Sequence, residues 1–304
     1  MLDPNNPPEV IQTRHKYYTF SPLPTEEELQ EYYSNKYYQN GLGSYATSYS
    51  EEEVQYFELK AGMVYLKASD YVDLEGPKKI LDIGCGEGWL LNTFHKHGHQ
   101  VTGIDFSRYG LEKFHPHLVD RLEQGDVYKI LNKKIAVEDR YDIIILANVI
   151  EHVRDPKKLL QNIRAIMDPA ALLILVVPND FSPLQEHLLE KAIVKSRYWL
   201  YYPDHLAYFN KESMENLLAD LGYVLFTVVG DNPIDLNLLN ANSNYVLDEG
   251  KGKNTHLFRI RTDNFLGGID EKKLIKIYEI LGSMGVGRDL NYYCSASCSA
   301  PAMP

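Results

Sequence analysis

From Lys79 onward the apolar positions alternate between two patterns, short unbroken runs and stretches with helical spacing. Ile80–Gly84 is an apolar run closed by glycine, the pattern of a buried strand. A helix follows, with Leu90, Leu91 and Phe94 facing inward and Gly98 as its stop. Gln100–Asp105 is a second strand, and Ser107 is placed to cap the helix after it. A third strand is expected near Leu122–Gly125. The fourth, Tyr141–Ala147, holds Ile143, Ile144, Ile145 and Leu146 in succession, as a strand covered on both faces requires. Asp155 and Pro156 read as N-cap and first residue of a helix whose inner face is Leu159, Leu160, Ile163, Ile166 and Met167. Ala171–Val177 is a fifth strand, stopped by Pro178.

The alternation breaks at Phe181–Tyr208, a helical insertion with the aromatic residues Tyr198, Trp199, Tyr201 and Tyr202. Asn210 then caps a helix ending at Gly222, and Tyr223–Val229 reads as a sixth strand. His256–Arg261 reads as a seventh, Lys272–Met284 as a last amphipathic helix, and the tail beyond Tyr293 as frayed. Before the core, Thr25/Glu28 and Ser50/Glu53 have capping-box spacing. Val54, Phe57, Ala61, Val64 and Ala68 share a helical face. The pattern predicts an α/β fold: a doubly wound, Rossmann-like, mostly parallel seven-stranded sheet with an N-terminal helical cap and a helical insertion after strand 5. Its expected parts are a cap over 1–75, a core over 76–230 with a substrate-side insertion over 181–209, and a C-terminal part over 231–304 that completes the sheet and adds a helix.

Composition narrows the function. With 304 residues, 44% hydrophobic and 24% charged, the chain is of ordinary globular make-up. A formal net charge of −11 disfavours nucleic acid as a partner. No apolar run is long enough to span a bilayer, and Met1–Val10 has no signal-peptide character, so a cytoplasmic location is expected. Cys85, Cys294 and Cys298 do not form a disulfide framework or a zinc-ligand pattern.

In a doubly wound sheet, ligands bind beyond the carboxyl ends of the strands. The segment Asp82-Ile83-Gly84-Cys85-Gly86-Glu87-Gly88 lies at such an end. Its glycines let the backbone approach a ligand and present a helix N-terminus. The spacing is G-x-G-x-G, not the G-x-G-x-x-G of dinucleotide sites. Asp82 would repel a pyrophosphate but suits an ammonium. Asp105 can accept both hydroxyls of a ribose.

Residues 80–88 resemble the first motif of class I S-adenosylmethionine-dependent methyltransferases, and Val101–Ser107 resembles the second. Gly125-Asp126-Val127 resembles the third, and YDIIILANVIEH over Tyr141–His152 the fourth. Asp168-Pro169-Ala170-Ala171 departs from the family, which usually has glycines after that proline. The resemblance implies that Gly84, Gly86 and Gly88 line the methionine and ribose of the cofactor. It places Asp105 on the ribose, Phe106 against the adenine, Asp126 and Val127 at the adenine edge, and Asn148 at the methionine end. A packing role for Phe106 and Val127 is the competing reading.

The implied product of the cofactor is S-adenosylhomocysteine, and the implied acceptor is a small molecule. A hydroxyl acceptor benefits from a base. His152 is the first candidate, with Glu151 orienting it, and His205 in Asp204–Phe209 is the second. The competing readings are a helix-starting residue for His152 and a packing residue for His205. No metal site is assigned, because Asn148 stands where an acidic ligand would help. Tyr37, Tyr38, Tyr45 and Tyr49, with the insertion's aromatics, form either a lid or an ordinary cap–core interface.

Leu236–Leu239, His256 and Gly287-Arg288 resemble methyltransferases encoded with bacterial surface-polysaccharide enzymes, which favours a sugar hydroxyl as acceptor. A phenolic or quinone precursor is the alternative. A nicotinamide-dependent oxidoreductase and a catalytically silent cofactor-binding protein remain as other classes. The last third also leaves room for a homodimer.

Overall fold

Ile143, Ile144, Ile145 and Leu146 are each fully buried, and they divide alternately between two apolar layers. Side chains alternate across a strand, so four consecutive buried residues require cover on both faces. The computed structural model describes residues 2–3, 6–29, 31–32 and 48–296. Its central sheet contains β3 (Lys79–Ile83), β4 (Gln100–Asp105), β5 (Leu122–Gln124), β6 (Tyr141–Ala147), β7 (Met167–Pro178), β9 (Val224–Gly230) and β10 (Asp289–Ser295). The order is β5-β4-β3-β6-β7-β10-β9, and β10 runs antiparallel to both its neighbours. The pairs β3–β4, β3–β6, β4–β5 and β6–β7 are parallel. This is the doubly wound α/β fold expected from the alternating pattern.

The helices α1 (Glu51–Ala68), α2 (Trp89–Lys96), α3 (Tyr109–Phe114), α4 (Val127–Ala136), α5 (Pro156–Ala165), α6 (Pro183–Glu190), α7 (Lys211–Asp220) and α8 (Gly252–Ser283) complete the layers. Several start where the sequence places a cap. Ser50 and Glu53 form a reciprocal capping box on α1, and Thr25 and Glu28 exchange the same pair of bonds at 3.1 and 2.8 Å. Asp155 accepts the backbone N–H of Lys158 ahead of Pro156. Asn210 caps α7.

Three expectations fail. The seventh strand is not His256–Arg261, which lies inside α8, but Asp289–Ser295. A six-residue stretch with apolar Leu257, Phe258 and Ile260 fits a helix as readily as a strand. As a helix it turns Ile260, Asp263 and Gly267 inward. Gly267 then meets α1 so closely that an added Cβ would sit 2.5 Å from Leu59. The backbone leaves helical geometry at Asp270, whose side chain caps the expected final helix by accepting the N–H of Lys273. The supposed tail carries Cys294, fully buried in β10.

The N-terminal part is also not purely helical. β1 (Glu9–Gln12) and β2 (Tyr18–Ser21) form a three-stranded sheet with β8 (Ala207–Tyr208) from the insertion. These strands are too short to show a period of two. Trp199 is fully buried there with Phe20, Phe181 and Tyr208. Part of the aromatic cluster is therefore an interface between insertion and N-terminal segment.

Candidate active site

The loop after β3 is shaped by backbone conformation. Gly84, Gly86 and Gly88 have φ of 72°, 52° and 85°, a region that L side chains rarely enter. A Cβ on Gly84 would lie 2.2 Å from Val149, and one on Gly88 would lie 2.4 Å from Leu111. The N–H groups of Gly84 and Cys85 both donate to the carbonyl of Ile104, at 2.7 and 3.1 Å, tying the loop to the end of β4.

Asp105 follows that carbonyl. One of its oxygens accepts the N–H of Gly86 and the other that of Ser107, each at 2.8 Å. Both oxygens are thus held in place by backbone donors with lone pairs to spare for hydroxyls. Ser107 also accepts the N–H of Tyr109 at 3.2 Å, although the N-cap of α3 is Arg108. Phe106 is 69% exposed, which rules out the packing role for that ring.

Asp82 is buried beneath the loop. Burial, with Asp105 nearby adding to it, pushes its carboxyl up to about 7, against the pull of the Leu91 N–H. Asp126 spends one oxygen capping α4, accepting the N–H of Lys129 at 2.8 Å. Val127 packs against the core as the first residue of that helix. Asn148 follows β6 directly, with φ 53°, and is exposed.

The chain then makes a short 3-10 turn, Ile150–His152. Glu151 is buried, and burial raises its carboxyl to about 8, so it is largely protonated near neutral pH. Its Oε2 is buried without a hydrogen-bond partner among the described residues. The Glu151 carbonyl accepts the N–H of Leu206 at 2.7 Å, which docks the insertion here. His152 Nδ1 lies 2.6 Å from the carbonyl of Asp204. A carbonyl only accepts, so Nδ1 carries the proton and Nε2 keeps its lone pair in the neutral ring.

His205 meets His152 edge to face, with ring centroids 4.8 Å apart. The two histidines, 53 positions apart in sequence by subtraction of their numbers, thus share one site with Glu151. Donor atoms of Glu151, His152 and His205 all lie within 4.8 Å of one another, a grouping suited to a cation. The expectation of no metal-ligand set had not foreseen His205 in that position.

A cavity of ≈ 230 Å³ lies on the Tyr201 side of them, lined by residues that include Tyr198, Tyr201, Tyr245, Arg259 and Arg288 and not by the three donors themselves. Tyr201 connects the two, its ring centroid 5.6 Å from that of His205. Arg288 is fixed from several sides. Asp231 accepts the N–H groups of Arg288 and Asp289, Asn179 donates its N–H to the Arg288 carbonyl, and the guanidinium pairs with buried Asp180 at 2.8 Å. Sequence reasoning missed Asp180, Asp235, Arg259 and the placement of Arg288. Asp180 had one signal, its position just beyond the carboxyl end of β7.

Of the expected cap tyrosines, Tyr49 reaches the glycine loop. Its hydroxyl donates to Glu87 at 2.7 Å, and its ring packs on Phe57 and Phe114. Tyr37, Tyr38 and Tyr45 lie outside the described residues, as does Cys298.

A methyltransferase-domain family profile matches residues 56–228. The chain belongs to the methyltransferase-domain family. Its cofactor is S-adenosylmethionine, and the loop fits it: three glycines at positive φ, a carboxylate held at both oxygens by backbone N–H groups, and an exposed ring beside it. The chain is 36% identical over 108 residues to the ubiquinone biosynthesis O-methyltransferase of Histophilus somni (34% of this chain, 45% of the relative). It is 33% identical over 110 residues to that of Coxiella burnetii (36% and 46%). The matches thus span about half the length of these relatives.

Among solved structures, a SAM-dependent methyltransferase from Archaeoglobus fulgidus aligns at TM-score 0.49 and 19% identity, over 78% of this chain and 93% of that one. A methyltransferase from Mesorhizobium loti aligns at 0.45 and 16%, over 78% and 99%. No helix among the described residues is long and apolar enough to cross a membrane.

Proposed function

We propose that this protein transfers the methyl group of S-adenosylmethionine to a hydroxyl of a small phenolic acceptor, with His152 as the general base. The observation that carries this reading is the meeting of Glu151, His152 and His205 just past β6, at the end of the cleft where Asn148 would face methionine. Bound S-adenosylmethionine would supply an electrophilic methyl carbon on its sulfonium and leave as S-adenosylhomocysteine. Nε2 of His152 would take the proton that the acceptor hydroxyl gives up as its oxygen is methylated.

The Asp204 carbonyl holds the tautomer this requires. The perpendicular ring of His205 holds the imidazole in place, and Glu151 Oε1 lies 3.8 Å from Nε2. Phe106, Asp105 and the glycine loop orient the cofactor, and alignment is the main catalytic contribution in a displacement of this kind.

The phenolic acceptor is preferred to a sugar because the similar relatives are named for ubiquinone biosynthesis. No relative reported above is named for a polysaccharide. A soluble protein working as a homodimer in the cytoplasm is compatible with this chemistry. The test is methyl transfer to catechol and to a matched panel of methyl glycosides. Transfer to catechol, lost in His152→Ala with S-adenosylhomocysteine affinity retained, supports the reading. Transfer to the glycosides alone would overturn the acceptor class.

A second reading has its own observation, the clustering of the three donors and the unpartnered Oε2 of Glu151. A divalent cation held by Glu151, His152 and His205 would acidify the acceptor hydroxyl directly. Activity that survives EDTA leaves His152 as the base; activity lost to EDTA and restored by Mg²⁺ or Zn²⁺ assigns the role to the metal.

A further inference from the structure

Glu87 lies between Gly86 and Gly88 in the loop after β3, and its polar atoms are held from outside that loop. One carboxylate oxygen accepts the hydroxyl of Tyr49 at 2.7 Å, and the other accepts the indole N–H of Trp89 at 2.8 Å. Its carbonyl accepts the Nδ1–H of His115 at 2.7 Å. Trp89 opens α2 and His115 directly follows α3, so both belong to the core.

Tyr49 differs. It stands just before Ser50, the N-cap of α1, and ahead of the family profile, which begins at residue 56. Its ring is fixed by packing on Phe57 and Phe114, with centroids 4.8 and 5.0 Å away, and on Trp89 at 6.5 Å. Burial, and then the Glu87 carboxylate, push the Tyr49 hydroxyl above the ordinary phenol range, so it stays a donor. A segment outside the sheet domain thus reaches into the middle of the glycine loop.

Glycines give a loop more unbound conformations to lose than other residues do. A ligand that must order such a loop binds more weakly by the fraction of time the loop spends in the competent shape. Contacts that hold the loop beforehand remove part of that cost.

We infer that Tyr49 is a positioning residue for the cofactor: through Glu87 it holds the glycine loop in its binding shape, so that docking of the segment before α1 sets part of the affinity for S-adenosylmethionine. Tyr49 acts through Glu87 rather than on the cofactor itself. This rests on the glycine loop being the cofactor's cradle, which Gly84→Ala tests separately.

The experiment is calorimetry with S-adenosylhomocysteine on Tyr49→Phe, Glu87→Ala and the double variant. Tyr49→Phe keeps the ring and removes only the hydroxyl. Its Kd should rise about five- to tenfold, the size of one hydrogen bond. The double variant should bind no more weakly than Glu87→Ala alone, because both changes remove the same contact. In turnover, the KM for S-adenosylmethionine rises by the same factor in Tyr49→Phe, while kcat stays within about twofold. Ser50→Ala, one position on, is the control for a merely structural role: it lowers the denaturant midpoint and leaves the affinity unchanged.

Unchanged affinity in Tyr49→Phe would overturn the inference. So would an undiminished effect of Tyr49→Phe in the Glu87→Ala background, which would put the hydroxyl on the cofactor itself. Should Glu87→Ala fail to fold, Tyr49→Phe decides alone, and a fall in kcat at fixed KM counts against the inference. Binding that survives Gly84→Ala would sink the cradle reading; binding weakened by Gly84→Ala but not by Tyr49→Phe would sink this inference only.

Discussion

At the proposed cofactor end of the cleft, three glycines with positive φ and the backbone N–H groups of Gly86 and Ser107 set the shape. At the proposed acceptor end, side chains do so, drawn from the turn after β6, the insertion, the segment before α8, α8 itself and the residue before β10. The first is a local structure that nine consecutive residues, 80–88, nearly specify. The second exists only once distant segments have docked. The shape of a backbone-built site is indifferent to most of what the rest of the chain carries, whereas side-chain-built sites can change specificity one residue at a time.

The two ends should therefore separate under mutation. The largest effect is expected at the acceptor end: His152→Ala lowers kcat by about 10²–10⁴-fold, the usual worth of a general base, and leaves S-adenosylhomocysteine affinity within a few-fold. Steady-state kinetics with calorimetry on the same variant checks this. A parallel loss of cofactor affinity would erase the distinction.

Gly84→Ala is the converse. Left-handed strain costs on the order of 1–3 kcal/mol, and the clash with Val149 adds to it, so affinity for S-adenosylhomocysteine should fall about 30–100-fold or more. Unchanged binding would mean that the loop is not the cradle.

A smaller effect concerns pH. The Asp82 carboxyl is raised to about 7 by burial and by Asp105. A cofactor ammonium favours the carboxylate, so affinity should rise as pH increases from 6 to 8, approaching about tenfold per unit below the raised value. Stability has the opposite sign. The folded value lies above the unfolded one, so this group's contribution is full below the ordinary carboxylate range and is lost as pH rises through about 7. Asp82→Asn should flatten both slopes, measured by calorimetry and by denaturant titration. The smallest effect is at neither end: Ser50→Ala removes the capping box of α1, costs about 1 kcal/mol in stability, and leaves binding untouched.

The same division explains what the sequence disclosed. β4 and β6 were legible to the residue, because a run such as Ile143–Leu146 has one structural solution when bounded by turns and flanked by helices. The turn at the glycine loop and the place of Asp105 at the end of β4 were legible because backbone conformation sets both. His152 and His205 were legible as candidates, but their meeting was not, since it depends on the Leu206 N–H bonding the Glu151 carbonyl.

Arg259 was hidden by a misread element. HLFRIR fits strand and helix alike, and the deciding contact, Gly267 against Leu59 of α1, lies outside that stretch. The N-terminal strands were hidden because β1 and β2 have four residues each and their partner β8 has two. Pairing of such short segments is decided by tertiary contact rather than by periodicity.

The most direct test of the central claim is a calorimetric titration of the purified protein with S-adenosylhomocysteine, run against NAD and repeated on Gly84→Ala. Expected is saturable one-site binding that NAD does not compete away and that the substitution weakens by about 30-fold or more. Preference for NAD, or no binding of either nucleotide, would contradict it.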